Sequence, residues 1–143
     1  MSQSPRLSQR PISTETVRPK VICVDFDGCI AHYQHGYAGR GQFGKPVRGV
    51  HKALTRLREC GWKIIIHTSR DERHEILAYC ADHGIPVDAV NENIWDFTGR
   101  SMNAGKPCAD VYLDDRAVCF QGQWDQALFN QVVEFQPWHQ TAH

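Results

Sequence analysis

The stretch Lys20-Val-Ile-Cys-Val-Asp25-Phe-Asp-Gly28 decides the fold of this chain. It begins as an apolar run rich in β-branched residues and ends in acidic residues, which is typical of a buried parallel strand at its carboxyl end. Similar runs at residues 62–67, 86–90 and 109–114 predict three further strands, and residues 117–120 are a candidate fifth. The sequence therefore predicts a sheet with acidic residues at one edge.

Helical patterns fill most of the intervals between these strands. Apolar residues at helical spacing predict one helix from Val50, a second from Asp71 and a last one marked by Trp124, Leu128 and Val132. Strands that alternate with helices of this length favour right-handed crossovers and a parallel sheet. We therefore expect an α/β fold, specifically a three-layer, Rossmann-like arrangement with a mostly parallel sheet and no large cap domain.

The length of 143 residues fits one domain. We expect this domain to span residues 19–136, between a disordered N-terminal tail at 1–18 and a C-terminal tail at 137–143. Residues 31–49 hold many glycines without a clear period, which indicates a flap.

Composition excludes several classes of function. Lys and Arg total 16 and so do Asp and Glu, so no global basic field draws the chain to nucleic acid or to a membrane. No apolar run approaches the roughly 18 residues that span a bilayer. The six cysteines contain no Cys-x-x-Cys pair and suit small, reduced, partly buried side chains. These features predict a soluble, cytoplasmic protein.

Polar residues with a shared chemistry follow the predicted strands. Asp25, Asp27 and Gly28 follow the first strand, Thr68, Ser69 and Arg70 follow the second, Lys106 precedes the fourth, and Asp114 and Asp115 end it. Ligands of such sheets bind at the carboxyl ends of the strands. Crowded carboxylates repel one another unless a cation neutralises them, and an oxygen-only set suits Mg²⁺. The sequence thus predicts a site for magnesium and phosphate.

Reaction roles follow from the same residues. A carboxylate such as Asp25 can attack phosphorus and form an aspartyl-phosphate. A second acid two residues along, Asp27, can protonate the leaving oxygen and then activate water. Gly28 lets the backbone turn closely around metal and phosphate, and Lys106 would place positive charge on the transferring group.

These residues resemble the four motifs of the haloacid dehalogenase superfamily of aspartate-nucleophile phosphohydrolases. Asp25-Phe-Asp-Gly28 is similar to motif one, Ile64-Ile-Ile-His-Thr68 to motif two, Lys106 to motif three and Tyr112-Leu-Asp-Asp115 to motif four. The four signals occur in order over about residues 20–130, which makes them more specific together than any one alone.

The resemblance implies a role for each matched residue. Asp25 would be the nucleophile, Asp27 the general acid and base, and Thr68, or alternatively Ser69, the phosphate-binding hydroxyl. Lys106 would steady Asp25 and the phosphate. Magnesium would be held by Asp25, the backbone carbonyl of Asp27, and Asp114, with Asp115 as a ligand, an outer-sphere group or a positioner of Lys106. We also expect Gly28, Ser69 and Arg70 to contact substrate, although Arg70 is equally compatible with starting the second helix.

The intervals between the motifs indicate a member without a cap domain. In that class an open site implies a bulky substrate or closure by a neighbouring subunit, so we expect a nucleotide, a nucleic-acid end or a phosphoprotein as substrate. One departure is Cys29, which stands where the family usually has Thr. This thiol predicts a looser loop or an activity that is sensitive to oxidation.

Two other classes of function compete with this interpretation. A receiver-type signalling module also combines acids, a Thr and a Lys around Mg²⁺, but it carries its phosphorylated Asp after the third strand. Here the third strand ends in Val90-Asn91. A binding protein that kept the site and lost turnover is the second alternative, and persistent phosphorylation of Asp25 would support it.

Overall fold

The computed structural model describes residues 18–95 and 105–140. Four strands form one sheet: β1 (Val21–Asp25), β2 (Lys63–His67), β3 (Ala89–Val90) and β4 (Val111–Leu113). Three α-helices accompany them: α1 (Val50–Glu59), α2 (Arg73–Asp82) and α3 (Gln126–Val133). A short 3₁₀ helix, Trp138–Gln140, follows. The predicted N-terminal tail at 1–18 lies outside the described residues except for Arg18.

The strand order is β3-β2-β1-β4, and every pair is parallel. The chain moves outward from β1 to β3 and then returns to the other side of β1. The α/β class and the parallel sheet are therefore confirmed. The register places Asp25 beside His67 of β2 and Val24 beside Leu113 of β4.

Apolar side chains cover both faces of the sheet. Helices α1 and α2 pack on one face, where Leu54, Ile76 and Cys80 join the core of β1 and β2. On the opposite face, Ile94, Trp95 and Ala109 pack against the sheet. In the part of the chain that the structure describes, that layer is a connecting segment rather than a helix. Isoleucines 64–66 are 0% exposed, which is why β2 is an apolar run on both faces.

The candidate fifth strand at 117–120 is not formed. An apolar run that includes Val118 and Phe120 supplies propensity, but a strand also needs a partner edge. These residues pair with none of the described strands. As a result β4 is an edge strand, and its residues are 43–52% exposed. Trp124, just before α3, is 89% exposed.

The flap at residues 31–49 is anchored at both its base and its tip. At the base, the amide of His32 donates to the Lys45 carbonyl oxygen at 2.8 Å. Nearer the tip, the Phe43 ring packs edge-on against Phe26 and Tyr79, with ring centroids 5.1 and 5.3 Å apart. These contacts make the flap part of the folded body.

Candidate active site

A cavity of about 450 Å³ opens at the carboxyl edge of the sheet. It is lined by Asp25, Asp27, Tyr33, His67, Thr68, Ser69, Asp114 and Arg116. Because β1 and β4 are neighbours in the sheet but distant in sequence, this is the point where the connections reverse direction. Open α/β sheets bind ligands at such points. Five of the residues named from the sequence therefore share one cavity.

Asp25 lies among other carboxylates. Burial, a hydrogen bond with the Asp115 carboxyl group and the negative charges of Asp114 and Asp115 raise the pKa of Asp25 from 3.8 to about 8. The backbone amide of Phe26 donates to Oδ1 at 2.9 Å and opposes this rise. Without a compensating cation, the Asp25 carboxyl group therefore retains its proton close to neutral pH.

The two acids after β4 lie in different environments. Asp114 is exposed, lines the cavity and accepts a hydrogen bond on Oδ1 from the Arg116 amide at 2.8 Å. Asp115 is buried: its side chain is 1% exposed. Burial alone would raise the pKa of Asp115, but hydrogen bonds with Asp25 and His139 outweigh it and lower that pKa. Both acids lie close to Asp25, so the structure leaves each available as a metal ligand.

Gly28 lies directly over Asp115. Its φ is +93°, a conformation that side chains with a Cβ rarely adopt. A Cβ at this position would clash with the Asp115 carboxylate. The glycine predicted to allow a close turn therefore makes room for a carboxylate.

The acidic cluster has the donors that a divalent cation needs. Asp25, Cys29 and Asp115 offer ligand atoms that all lie within 4.8 Å of one another. Oδ1 of Asp115 is buried and receives no hydrogen bond from an N–H group or a hydroxyl among the described residues. A buried carboxylate oxygen without an N–H or hydroxyl donor, beside a carboxyl group of raised pKa, fits Mg²⁺, which prefers oxygen ligands.

Cys29 is a poor candidate for thiolate chemistry. Burial and the negative charges of Asp25, Asp115 and Asp114 raise the pKa of its thiol to about 12. Oxidation and alkylation require the thiolate. The raised pKa of Cys29 counts against this sensitivity when no cation is bound, and the expected sensitivity to oxidation stays a prediction.

Thr68 is held by its backbone and its side chain together. Its amide donates to Asn91 Oδ1 at 2.9 Å, and its hydroxyl oxygen accepts from the Arg70 amide at 3.1 Å. Asn91 in turn donates to the Thr68 carbonyl oxygen at 3.0 Å. The hydroxyl proton of Thr68 is left to donate to a ligand. Ser69 lines the same cavity, so the choice between the two hydroxyls stays open.

Arg70 differs from its expected role. Its side chain is 4% exposed and binds Asp27 with two hydrogen bonds, from Nε at 2.6 Å and from Nη2 at 3.2 Å. Nη1 pairs with Glu72 at 3.2 Å. The guanidinium also lies 4.8 Å from the centroids of the Tyr37 and Phe43 rings of the flap. Arg70 thus joins Asp27 to the flap and does not present a free cation to substrate.

Lys106 does not make the contact predicted for it. It is exposed, and its Nζ lies 4.6 Å from the centroid of the Tyr112 ring. Across residues 18–95 and 105–140, no ion pair joins Lys106 to a carboxylate. Arg116 is instead the cationic residue that lines the cavity with Asp114. The role of Lys106 at the phosphate stays a prediction.

Sequence reasoning missed part of the site. Trp138 and His139 come from the predicted tail at 137–143. The structure corrects that boundary, because Trp138–Gln140 packs against the Asp25 loop. Arg116 also lines the cavity, and its position directly after Asp114 and Asp115 is a local sequence signal that places it at the site.

A scan against protein-family models found no match, and a search of curated proteins found none either. Among solved structures, the chain is similar to a conserved protein from Bacteroides thetaiotaomicron, with a TM-score of 0.57 and 22% sequence identity. The similarity covers 82% of this chain and 91% of that one. At this identity the likeness shows a shared fold and nothing about activity.

In the described residues, no helix has the length and apolar character needed to cross a membrane.

Proposed function

We propose that this protein is a Mg²⁺-dependent phosphohydrolase that cleaves a phosphomonoester through an aspartyl-phosphate on Asp25. The observation that carries the proposal is the cavity at the reversal point of the sheet. There the half-buried Asp25 carboxyl group lies near Asp114 and Asp115. Asp27, which follows Asp25 on the same loop, and the Thr68 hydroxyl, directly after β2, line the same cavity. This set supplies a nucleophile, a proton carrier and a hydrogen-bond donor to the phosphoryl group.

The reaction has two steps in this proposal. An Asp25 carboxylate oxygen bonds to phosphorus while the bond from phosphorus to the leaving oxygen breaks, and Asp27 gives its proton to that oxygen. Asp27 then takes a proton from water, whose oxygen attacks the phosphorus and breaks the bond to Asp25. Phosphate leaves, and both acids return to their starting states. Thr68 donates its hydroxyl proton to a phosphoryl oxygen.

Magnesium, when bound, supplies positive charge to the phosphoryl oxygens. The residues that would hold it are Asp25, the backbone carbonyl of Asp27 and one or both of Asp114 and Asp115. Oδ1 of Asp115, which has no N–H or hydroxyl donor among the described residues, and the raised pKa of Asp25 support this assignment.

The open cavity supports a bulky substrate. A nucleotide, a nucleic-acid end or a phosphoprotein fits a site without a cap domain, and a second copy of the chain is the partner that would close it. All six cysteines are free thiols, which supports action in the reducing cytoplasm.

One observation favours a second candidate function. Arg70 occupies both carboxylate oxygens of Asp27. As a general acid and base, Asp27 would have to present an oxygen to the leaving group and then to water, while Arg70 holds both oxygens in place. A module that accepts a phosphoryl group on Asp25 and hydrolyses it slowly would need no such movement.

Phosphate release is the test of both candidates. Wild-type protein is assayed with an aryl phosphate, nucleotides and end-phosphorylated oligonucleotides, in Mg²⁺ and in EDTA. We expect release that requires Mg²⁺ and is lost in Asp25→Asn. Asp82→Asn, at an exposed carboxylate on α2, is the matched control and keeps wild-type rates.

The outcomes separate the candidates. Turnover with Mg²⁺ supports the hydrolase. Phosphoryl transfer to Asp25 without sustained release supports the slow module. Release that survives Asp25→Asn contradicts both, because each places the phosphoryl group on Asp25.

A further inference from the structure

The last short helix of the chain reaches into the Asp25 loop. The indole N–H of Trp138 donates to the Gly28 carbonyl oxygen at 2.7 Å. The next residue, His139, places Nε2 2.8 Å from Oδ2 of Asp115. Two consecutive side chains therefore bind two different parts of the acidic site, the backbone after Asp27 and the buried acid after β4.

The contact between His139 and Asp115 is fully enclosed. The two side chains are 0% and 1% exposed. A carboxylate can only accept hydrogen bonds, so Nε2 of His139 is the donor. With Oδ2 bound by His139, Oδ1 is the Asp115 oxygen to which no N–H or hydroxyl group of the described residues donates.

This arrangement is costly for a purely structural contact. Nδ1 of His139 is buried and has no hydrogen-bond partner among the described residues. Burying an unsatisfied polar atom costs free energy, and an apolar side chain would fill the same space without that cost. A requirement for a donor to Asp115 accounts for the histidine.

We propose that His139 and Trp138 are positioning residues for a divalent-cation site, in which His139 fixes the Asp115 carboxylate and Trp138 fixes the Gly28 peptide. Partners of this kind orient metal ligands, and their loss typically lowers metal affinity about 10–100-fold. The cation site and its link to catalysis rest on the proposed function.

Binding of Mn²⁺, followed by electron paramagnetic resonance, tests the proposal without relying on turnover. In His139→Leu, which keeps side-chain bulk and removes the donor, we expect the Mn²⁺ dissociation constant to rise about 10–100-fold. In His139→Gln, whose amide N–H₂ can replace the Nε2 donor, we expect a value within a few-fold of wild type. The matched control is His74→Leu, at an exposed histidine of α2, and it should bind Mn²⁺ as wild type does.

Trp138→Phe is the second test, because it keeps an aromatic ring and removes only the indole N–H. We expect weaker Mn²⁺ binding than in Trp124→Phe, whose tryptophan is 89% exposed. Circular dichroism establishes that each variant is folded. If His139→Leu does not fold, His139→Gln and Trp138→Phe still decide the question.

The proposal is overturned if folded His139→Leu binds Mn²⁺ as wild type does, or if His139→Gln is as weak as a folded His139→Leu. If His139→Leu is unfolded, loss of binding in His139→Gln or unchanged binding in Trp138→Phe overturns it. It is also overturned if wild type binds no Mn²⁺. A separate result would contradict the phosphohydrolase proposal. If wild type binds Mn²⁺ but releases no phosphate, the proposed activity is wrong, and the comparison of Mn²⁺ binding between the variants and wild type still tests the positioning roles of His139 and Trp138.

Discussion

Asp25 is the residue on which the chemistry depends, and its surroundings are unfavourable for a charge. Three carboxyl groups crowd at the carboxyl edge of β1 and β4, and burial adds to their repulsion. Like charges at short range disfavour ionisation unless a cation compensates them. A nucleophilic carboxylate therefore needs a bound cation near neutral pH.

The raised pKa of Asp25 predicts how stability depends on pH. Its pKa is about 8 in the folded protein against 3.8 ordinarily, so the folded state holds the proton more tightly. The contribution to stability is fully present below pH 3.8 and is lost as the pH rises through 8. In EDTA, we expect the melting temperature of wild type to fall between pH 5 and 9 more steeply than that of Asp25→Asn.

Added Mg²⁺ is the companion measurement. Mg²⁺ should raise the melting temperature of wild type more than that of Asp25→Asn, and this difference should be larger at pH 8 than at pH 6. The reason is that ionised Asp25 is the form that a cation stabilises. Parallel melting curves for the two proteins across this pH range would contradict the assigned environment of Asp25.

At the scale of elements, Arg70 links a strand end to the flap. Its guanidinium binds Asp27 and Glu72 in a largely buried cluster, and Glu72 also accepts a hydrogen bond from the Gly41 amide. Breaking a buried ion pair by removing one partner leaves an uncompensated charge. The position of the flap therefore depends on the Arg70 guanidinium group.

Arg70→Met tests this dependence. We expect it to lower the free energy of unfolding by about 3–5 kcal/mol, measured by urea denaturation. The flap should also become more susceptible to limited proteolysis. Arg58→Met is the matched control, because the ion pair of Arg58 with Asp88 is more exposed and should contribute only about 1 kcal/mol or less. Equal effects of the two substitutions would contradict a special role for the buried cluster.

At the scale of the whole molecule, the sheet and the edge that bears the site were predictable from sequence. Buried parallel strands are apolar on both faces, so β1 and β2 stand out locally, and the polar residues after them mark the edge. The placement of Asp25, Asp27, Thr68 and Asp114 around one cavity followed from that pattern.

The parts of the fold and of the site that the sequence did not predict depend on contacts between distant parts of the chain. Trp138 and Gly28 are 110 residues apart, and no local pattern announces their hydrogen bond. The failure of residues 117–120 to form a strand reflects a missing partner, which propensity does not encode. Lys106 was placed by its position before the fourth strand and by motif order, and its side chain lies over Tyr112.

The central claim is that Asp25 itself carries the phosphoryl group. Acid quenching during turnover, followed by peptide mapping with tandem mass spectrometry, tests it most directly. The account predicts a phosphoryl group on Asp25 in wild type with Mg²⁺, and none in Asp25→Asn or in EDTA. Phosphate release by a wild type that never carries the group on Asp25, or a phosphoryl group on another residue, would contradict the account.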